Sequence, residues 1–378
     1  MTKKFFSYAL LALALALGFS ANAQDRWSKE RINDWYAKQP WMAGANYVPA
    51  SAINQLEMWQ EASFDPERID RELGWAEDLG FNTMRVFLHH MLWEQDQKGF
   101  IKRINKYLKI ADKHGIRTMF VLLDDVWHPY PNLGKQPAPL KGVHNSGWVQ
   151  SPGRNILERP DRWDELEGYV KGILKHYAND KRVVFWDLYN EPGNTNGNSY
   201  GGGGKKIELP NKRKYSLGLL KKVYKWAREV NPSQPLSIDV WTSVGKKIEQ
   251  MSAIDRFAYE NSDVINFHCY SSAATTEKTI KELSKSGRPL VCTEYMARPH
   301  GDGTFQNVMP VLKKYNVVAY NWGFVAGKSQ TNYPWSSWQK PFENEPKLWF
   351  HDIFRENGEP YKQAEVDFIK RTTGKQTL

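Results

Sequence analysis

The sequence predicts an α/β fold, a (β/α)8 TIM barrel in a single domain. Eight apolar or β-branched runs alternate with amphipathic helix patterns, which favours parallel strands because each crossover helix returns the chain to the same end of the sheet. Eight such units have a closed solution, the barrel. An open doubly wound sheet is the alternative, but the Gly-rich phosphate turn typical of that fold does not follow the first run. No internal repeat or linker divides the 378 residues.

The amino terminus has the pattern of a signal peptide. Lys3 and Lys4 form a positive region, the apolar run YALLALALALGF follows, and ANA at 21–23 is a small-residue cleavage site. We therefore expect residues 1–23 to be removed, the barrel to comprise residues 24–378, and the protein to be secreted or periplasmic. No cysteine immediately follows the cleavage site, and no later run approaches 18 apolar residues, so we expect no membrane anchor.

The strand-like runs are short and apolar, and the clearest helix pattern lies between the first two. It runs from Asp65, a capping residue, through Pro66, which suits the first helical position, to Gly80, which suits the end. A second helix pattern begins at Asp161 and places Trp163, Leu166, Val170, Ile173 and Tyr177 on one side. The eight strand-like runs are 42–48, 82–88, 117–123, 183–189, 236–241, 264–270, 290–295 and 317–322.

Composition excludes some classes of function. The net charge is +10, from 52 basic and 42 acidic residues, and the basic residues are spread over predicted helix faces. Without a basic arm or a nucleic-acid motif, this charge indicates solvated helices and no nucleic-acid partner. The 16 tryptophans suit core packing and also stacking against sugar rings. The sequence leaves the oligomeric state open.

Two cysteines in an exported chain raise the question of a disulfide. Cys269 and Cys292 both lie in strand-like runs. Strand alternation places Cys269 opposite His268, and places Cys292 on the same face as Glu294. The two thiols are therefore expected to face apart, and we predict two buried free thiols.

Two glutamates stand at predicted strand ends. Glu191 follows the fourth run within VVFWDLYNEP, with Asn190 before it, and Pro192 helps to end the strand because proline cannot donate to a sheet ladder. Glu294 lies at the end of the seventh run. Active-site residues of barrels stand at the carboxyl ends of the strands, so both carboxylates can meet at one mouth. Paired carboxylates are what glycoside hydrolysis requires.

The motifs resemble those of glycoside hydrolase clan A, and most closely the cellulase-like family 5. WDLYNEP is similar to the strand-four motif, LVCTEY to the strand-seven motif, and FHCY to the strand-six His-x-Tyr. The resemblance, which covers about residues 42–325, implies a retaining hydrolase of β-linked poly- or oligosaccharides without a cofactor. It implies Glu191 as acid/base and Glu294 as nucleophile. The implied supporting residues are Arg85 in NTMRVF, Asn190, His268, Tyr270 and, as the floor of the sugar subsite, Trp322 in AYNWGF.

One stretch departs from the family pattern. Where the family commonly has a histidine past strand three, VLLDDVWHP places Val126, and His128 comes two residues later. Sugar binding near this point is therefore expected to differ from that in typical cellulases. Asp124 and Asp125 lie beside it with no assigned role. The histidines His89, His90 and His128 match no familiar ligand spacing, so we predict no metal.

The substrate is the least determined property. Long segments after strands three and four, 124–160 and 193–213, carry aromatic and polar residues expected to wall one side of the cleft, including Asp124, Asp125, Trp127, Tyr130, Trp148 and Tyr200. A wall favours a short oligosaccharide or chain end, and we expect a hemicellulose-like substrate. Other candidate sugar platforms are Trp93, Trp241, Trp335 and Trp338. Transglycosylation on the same scaffold, or a non-catalytic carbohydrate-binding barrel, are the alternative functions.

Overall fold

The fold is an eight-stranded parallel barrel with helices between the strands, as predicted. The computed structural model describes residues 26–197, 207–300 and 302–375. The predicted signal peptide, Tyr200 and the glycine run at 201–204 lie outside the described residues. The strands are Ala43–Asn46 (β1), Thr83–Phe87 (β2), Arg117–Val121 (β3), Val183–Asn190 (β4), Leu236–Asp239 (β5), Ile265–Cys269 (β6), Leu290–Tyr295 (β7) and Val318–Asn321 (β8).

The sheet is nearly closed. Its strands pair in the order β5-β4-β3-β2-β1-β8-β7-β6, and every pair is parallel. Between β5 and β6, the Asp263 amide donates to the Leu236 carbonyl at 2.8 Å, and the His268 amide donates to the Val240 carbonyl at 3.2 Å. These two bonds join the remaining edges, so the open doubly wound sheet is excluded.

Helices cover the outside of the barrel. They are Lys29–Ala37 (α1), Gln55–Trp59 (α2), Pro66–Asp78 (α3), His90–Lys113 (α4), Arg154–Leu157 (α5), Glu167–His176 (α6), Lys212–Val230 (α7), Ala253–Asn261 (α8), Ala273–Leu283 (α9), Phe305–Lys314 (α10) and Gln363–Thr373 (α11). The side chain of Asp65 caps α3 by accepting from the Arg68 amide, as its sequence predicts. Within the described residues, no helix combines the length and apolarity needed to cross a bilayer.

The second predicted helix begins differently. The segment Pro160–Leu166 is a 3-10 helix, and the α-helix α6 starts only at Glu167. The five apolar side chains predicted to share a face are nevertheless buried, from Trp163 to Tyr177. A 3-10 turn is a common way to begin a helix, and it changes the backbone pitch without moving this face away from the core.

The amino-terminal end of the barrel is closed by α1. A core cluster joins Ile32 and Tyr36 of α1 to Phe185, Val291 and Tyr320 of three strands. The Tyr36 hydroxyl also donates to the carbonyl of Asn316, which precedes β8, at 2.6 Å. The opposite end, where the strands finish, therefore remains available for a site.

Two strands are irregular near that end. The pairing register shifts between Asp187 and Asn190 in β4, and between Cys292 and Tyr295 in β7. Strict alternation fails at such a shift, because an extra residue changes which side chains face inward.

The shift in β7 corrects one prediction. Cys269 and Cys292 are both buried and free, as expected, but they do not face apart, because both lie in the large core cluster between the strands and the helices. The irregularity places Cys292 outside the barrel while Glu294, two residues later, faces the barrel mouth.

Candidate active site

A cleft of about 450 Å³ opens at the carboxyl ends of the strands. This volume is within the range of small-molecule sites. Glu191 and Glu294 both line it, and the other lining residues are aromatic, aliphatic or small and polar, apart from three histidines. They are Val126, Trp127, His144, Trp148, Asn190, Asn194, Asn196, Gly197, Trp241, Val244, His268, Tyr270, Ser271, His300, Trp322 and Trp335.

Glu191 lies immediately after β4. Its φ is +44°, in the left-handed region that non-glycine residues seldom adopt, and its amide donates to the Asp239 carbonyl at 3.1 Å. The Asn194 side chain donates to Oε2 of Glu191. The turn after the strand therefore presents this carboxylate to the cleft with an amide donor already in contact.

Glu294 is held from two sides. Nη1 of Arg85 donates to its Oε1 at 3.2 Å, and the Tyr270 hydroxyl donates to its Oε2 at 2.6 Å. Only 6% of the residue is exposed. A guanidinium and a phenol on one carboxylate stabilise its ionised form.

The two carboxyl groups meet at His268. Nδ1 of His268 is 2.7 Å from Oε1 of Glu191 and 3.4 Å from Oε2 of Glu294. One oxygen of each glutamate and one nitrogen of His268 lie within 4.8 Å of one another. The structure therefore brings together the two glutamates that the sequence places 103 positions apart.

Burial and the neighbouring charges both shift the pKa of Glu294. Burial raises the pKa of Glu294 to about 7; His268 and Arg85 oppose this shift, whereas repulsion from Glu191 adds to it.

Beneath the glutamates lies a buried charge network that the sequence did not predict. Nη2 of Arg85 is 2.6 Å from Oδ2 of Asp187 and 2.9 Å from Oδ2 of Asp239, and both aspartates are fully buried. The same nitrogen donates to Oδ1 of Asn190 at 2.7 Å. Asp187 and Asp239 are visible in the sequence as acidic residues within apolar strands, which is the signal that would have found them.

The segment after strand three departs from the family pattern in structure as well. Val126, which stands where the family commonly has a histidine, and Trp127 both line the cleft. Asp124 is turned away from the cleft lining, and accepts from Nε1 of Trp148 at 2.7 Å and from Nδ2 of Asn190 at 2.9 Å. Asp124, whose role the sequence leaves open, therefore holds two cleft residues through its carboxylate oxygens.

Asp125 also has a structural role. It accepts from the Tyr189 hydroxyl, the Gly193 amide and the Ser216 hydroxyl at 2.8, 2.6 and 2.6 Å. Nζ of Lys212 donates to the Asp125 carbonyl at 2.9 Å and lies 3.0 Å from Oε2 of Glu208. These buried contacts fasten the segment after β4 to the segment that follows β3, and Asp125 is not among the residues that line the cleft.

Aromatic side chains form much of the cleft surface. Trp322, predicted as its floor, lies between Phe87 and Trp148, with ring centroids 5.9 Å from each. Among the six other tryptophans proposed as platforms, Trp127, Trp148, Trp241 and Trp335 line the cleft. The other two pack elsewhere: Trp93 on Tyr169, and Trp338 in the core beside Trp127.

Some cleft residues had not been singled out in the sequence. Asn194, three residues after Glu191, was detectable only from its position near the strand end. His144 and His300 belong to long connections that carry no motif. Burial lowers the pKa of His144 to about 4, so this side chain is neutral in the cleft wall.

The histidines considered as metal ligands do not assemble. His89 contacts the Gln150 carbonyl and His90 contacts the Ser151 hydroxyl, and burial lowers the pKa of both rings. Glu191, His268 and Glu294 have the proximity of a metal site, but both ring nitrogens of His268 face carboxylate oxygens. An imidazolium in that position has no lone pair for a metal, and the absence of a metal stays a prediction.

The chain matches the family Cellulase (glycosyl hydrolase family 5) over residues 60–339, most of its length. It belongs to glycosyl hydrolase family 5. Membership of glycosyl hydrolase family 5 makes the protein a glycosidase and agrees with the resemblance seen in its motifs. No curated protein sequence is detectably similar to it.

Solved structures share the family 5 barrel. A subfamily 18 variant from Streptomyces cattleya, in complex with Manβ1-4GlcNAc, has a TM-score of 0.55 at 12% identity over 89% of this chain and 81% of that one. An endo-1,4-β-D-mannanase from Thermotoga petrophila gives 0.53 at 14% identity, over 89% and 99%. An exo-β-1,4-mannosidase from Opitutaceae bacterium strain TAV5 gives 0.51 at 20% identity, over 88% and 60%. At these identities the likeness shows the fold alone.

Proposed function

We propose that this family 5 protein is a retaining glycoside hydrolase that cleaves β-linked sugars by double displacement. The separation of Glu191 and Glu294 supports this reaction most directly, because an oxygen of each lies within 4.8 Å of the other. Carboxyl groups about 5–5.5 Å apart are typical of retaining enzymes, whereas about 6.5–9.5 Å leaves room for the water that an inverting enzyme uses.

The contacts favour Glu294 as the nucleophile and Glu191 as the acid/base. Arg85 and Tyr270 stabilise the Glu294 carboxylate, whose oxygen forms a bond to the anomeric carbon as the glycosidic bond breaks. Glu191 gives its proton to the leaving oxygen. In the second step Glu191 takes a proton from water, the resulting hydroxide attacks the anomeric carbon, and the Glu294 carboxylate is released.

The cleft wall favours an uncharged substrate. Among the described residues, no lysine, arginine or aspartate lines the cleft, and its only carboxyl groups are the two glutamates of the proposed reaction. The remaining surface is formed by aromatic faces and by amides, which bind the apolar faces and the hydroxyls of sugar rings. We infer a neutral hemicellulose or its oligosaccharides, and the substrates named for the structural neighbours make β-mannosides the first to test.

Side chains from both long segments line the cleft, which favours short substrates. Trp127, His144 and Trp148 come from one segment, and Asn194 and Asn196 from the other. Purified protein incubated with β-mannan, xylan, β-glucan and their oligomers is expected to cleave oligomers faster than it lowers polymer viscosity. Chromatography of the products separates hydrolysis from transfer to a second sugar. Rapid loss of polymer viscosity would contradict the proposal that a wall beside the cleft favours short substrates. Inactivity on every glycan would contradict the proposed substrate class.

We also propose that the protein acts outside the cytoplasm. The positive region, apolar run and small-residue site at 1–23 support export. When the full chain is expressed in a bacterial host, the periplasmic or secreted fraction is expected to contain protein whose intact mass corresponds to a chain that begins at Gln24. Accumulation of the uncleaved chain in the cytoplasm would contradict export.

A further inference from the structure

Two buried aspartates lie beneath the glutamates and differ in one contact. Asp187 of β4 and Asp239 of β5 are both fully buried, and both lie against Nη2 of Arg85. Only Asp239 also approaches His268, with its Oδ1 3.1 Å from Nε2 of the ring. Asp239 therefore contacts both Arg85 and His268, the two cationic side chains that touch the catalytic carboxylates. Asp187 contacts only Arg85.

His268 is surrounded mainly by acidic groups. The titratable and charged side chains around it come from five strands and the residues that follow them: Arg85 (β2), Asp187 and Glu191 (β4), Asp239 (β5), Tyr270 (β6) and Glu294 (β7). Nε2 faces Asp239, and Nδ1 faces both glutamates. A carboxylate at each end of the ring favours the form in which both nitrogens carry a proton.

We propose that Asp239 is a positioning residue that keeps His268 an imidazolium throughout the catalytic cycle. The proposal rests on the double displacement assigned to Glu191 and Glu294. Its consequence is a fixed positive charge, located between the two carboxyl groups, which neither gains nor loses a proton as the reaction proceeds.

The movement of negative charge during the reaction explains why a permanent positive charge on His268 would assist it. Before attack, Glu294 is ionised and Glu191 carries the proton, so the pair has one negative charge. In the glycosyl-enzyme, Glu294 is a neutral ester and Glu191 is ionised, so the single negative charge has moved to the other side chain. Nδ1 of His268 is 2.7 Å from one and 3.4 Å from the other, which keeps the charge paired in both states.

The balance of burial and neighbouring charges agrees with this geometry. Burial opposes the charged ring, but attraction to Asp239 and then Glu294 outweighs burial and raises the pKa of His268 well above its ordinary value. A neutral His268 would leave the moving negative charge without this partner in a buried site, where the attraction is strongest.

The test uses the ring ¹⁵N resonances of histidine-labelled protein from about pH 5 to pH 9, the range in which an ordinary histidine loses its proton. The ¹⁵N signals that disappear in the His268→Gln variant are assigned to the His268 ring. We expect the wild-type ring to keep both protons across this range, Asp239→Asn to give a neutral ring within it, and Asp187→Asn to keep the imidazolium. Circular dichroism of each variant checks its fold.

Kinetics provide a second measurement. Loss of the positive charge makes ionisation of Glu294 harder, so the acidic limb of the kcat/KM profile in Asp239→Asn is expected to move up by about one pH unit, a tenfold loss on that limb. In Asp187→Asn the limb is expected to stay in place even if the maximum falls.

Several results would overturn the inference. The first is loss of a proton from the wild-type His268 ring near pH 6.5, a measurement that requires no variant to fold. The second is a His268 ring that titrates equally in Asp239→Asn and Asp187→Asn. The third is an equal shift of the acidic limb of the kcat/KM profile in these two variants. A wild-type protein inactive on all glycosides, but with a persistent imidazolium, would instead contradict the proposed function and support the link between Asp239 and His268.

Discussion

Glu294→Gln is expected to lower kcat/KM by at least about 10⁴-fold, the order of loss seen when a hydrolase loses its nucleophile. The amide keeps the shape of the side chain, but it is too weak a nucleophile to form the glycosyl-enzyme bond. The effect should be on kcat, because the residues that bind the rest of the sugar are unchanged.

Labelling by a 2-deoxy-2-fluoroglycoside distinguishes a lost nucleophile from a damaged fold. Mass spectrometry of the wild type should show one sugar per chain, attached to the peptide that contains LVCTEY, and the variant should remain unlabelled. Glu72→Gln is the matched control: Glu72 is a fully buried glutamate that accepts from the Tyr47 hydroxyl at 2.9 Å, outside the cleft lining. Normal labelling of Glu294→Gln would assign the nucleophile elsewhere.

Glu191→Ala is expected to depend strongly on the leaving group. A substrate with a poor leaving group needs protonation and should lose about 10²–10⁴-fold in kcat, whereas formation of the glycosyl-enzyme from a dinitrophenyl glycoside should be nearly unaffected. The intermediate should then accumulate, since no base activates water.

Azide tests the same variant from the other direction. The space left by Glu191 admits the anion, which needs no base, so turnover of the dinitrophenyl glycoside should recover and yield a β-glycosyl azide. Nuclear magnetic resonance of the product gives its configuration. An α-glycosyl azide would show that the roles of the two glutamates are reversed, and the absence of any rescue would contradict the assignment of Glu191 as acid/base.

The sequence pattern is sufficient to predict the barrel, because strand-like runs that alternate with helix-like runs can be connected in only a few topologies. Each of the eight runs coincides with a strand, and only β4, Val183–Asn190, extends beyond its run, by one residue. The same pattern does not predict which face of the sheet a side chain occupies where a strand is irregular. Cys292 was placed on the wrong face because a register shift depends on pairing with neighbouring strands, which no local pattern records.

The candidate site divides in the same way. The glutamates, Arg85, His268 and Tyr270 lie at strand ends within recognisable motifs, and the structure brings them together. The roles of Asp124 and Asp125 were missed because a carboxylate near a cleft has the same sequence signal whether it faces the ligand or a buried amide. Only the three-dimensional contacts distinguish a sugar-binding acid from one that supports a tryptophan or a turn.

The buried contacts around Asp125 have a consequence for protein engineering. Lys212 and Glu208 join the segment after β4 to this aspartate, and the Gly193 amide is bound to it as well. Grafting the 193–213 segment alone from another barrel would remove Lys212, whose Nζ lies 3.9 Å from Oδ1 of Asp125, and would leave this buried carboxylate with only the Tyr189 and Ser216 hydroxyls as side-chain donors. The end of β3 and the 193–213 segment therefore constitute one transplantable module, and libraries that recombine such enzymes should keep the two pieces from the same parent.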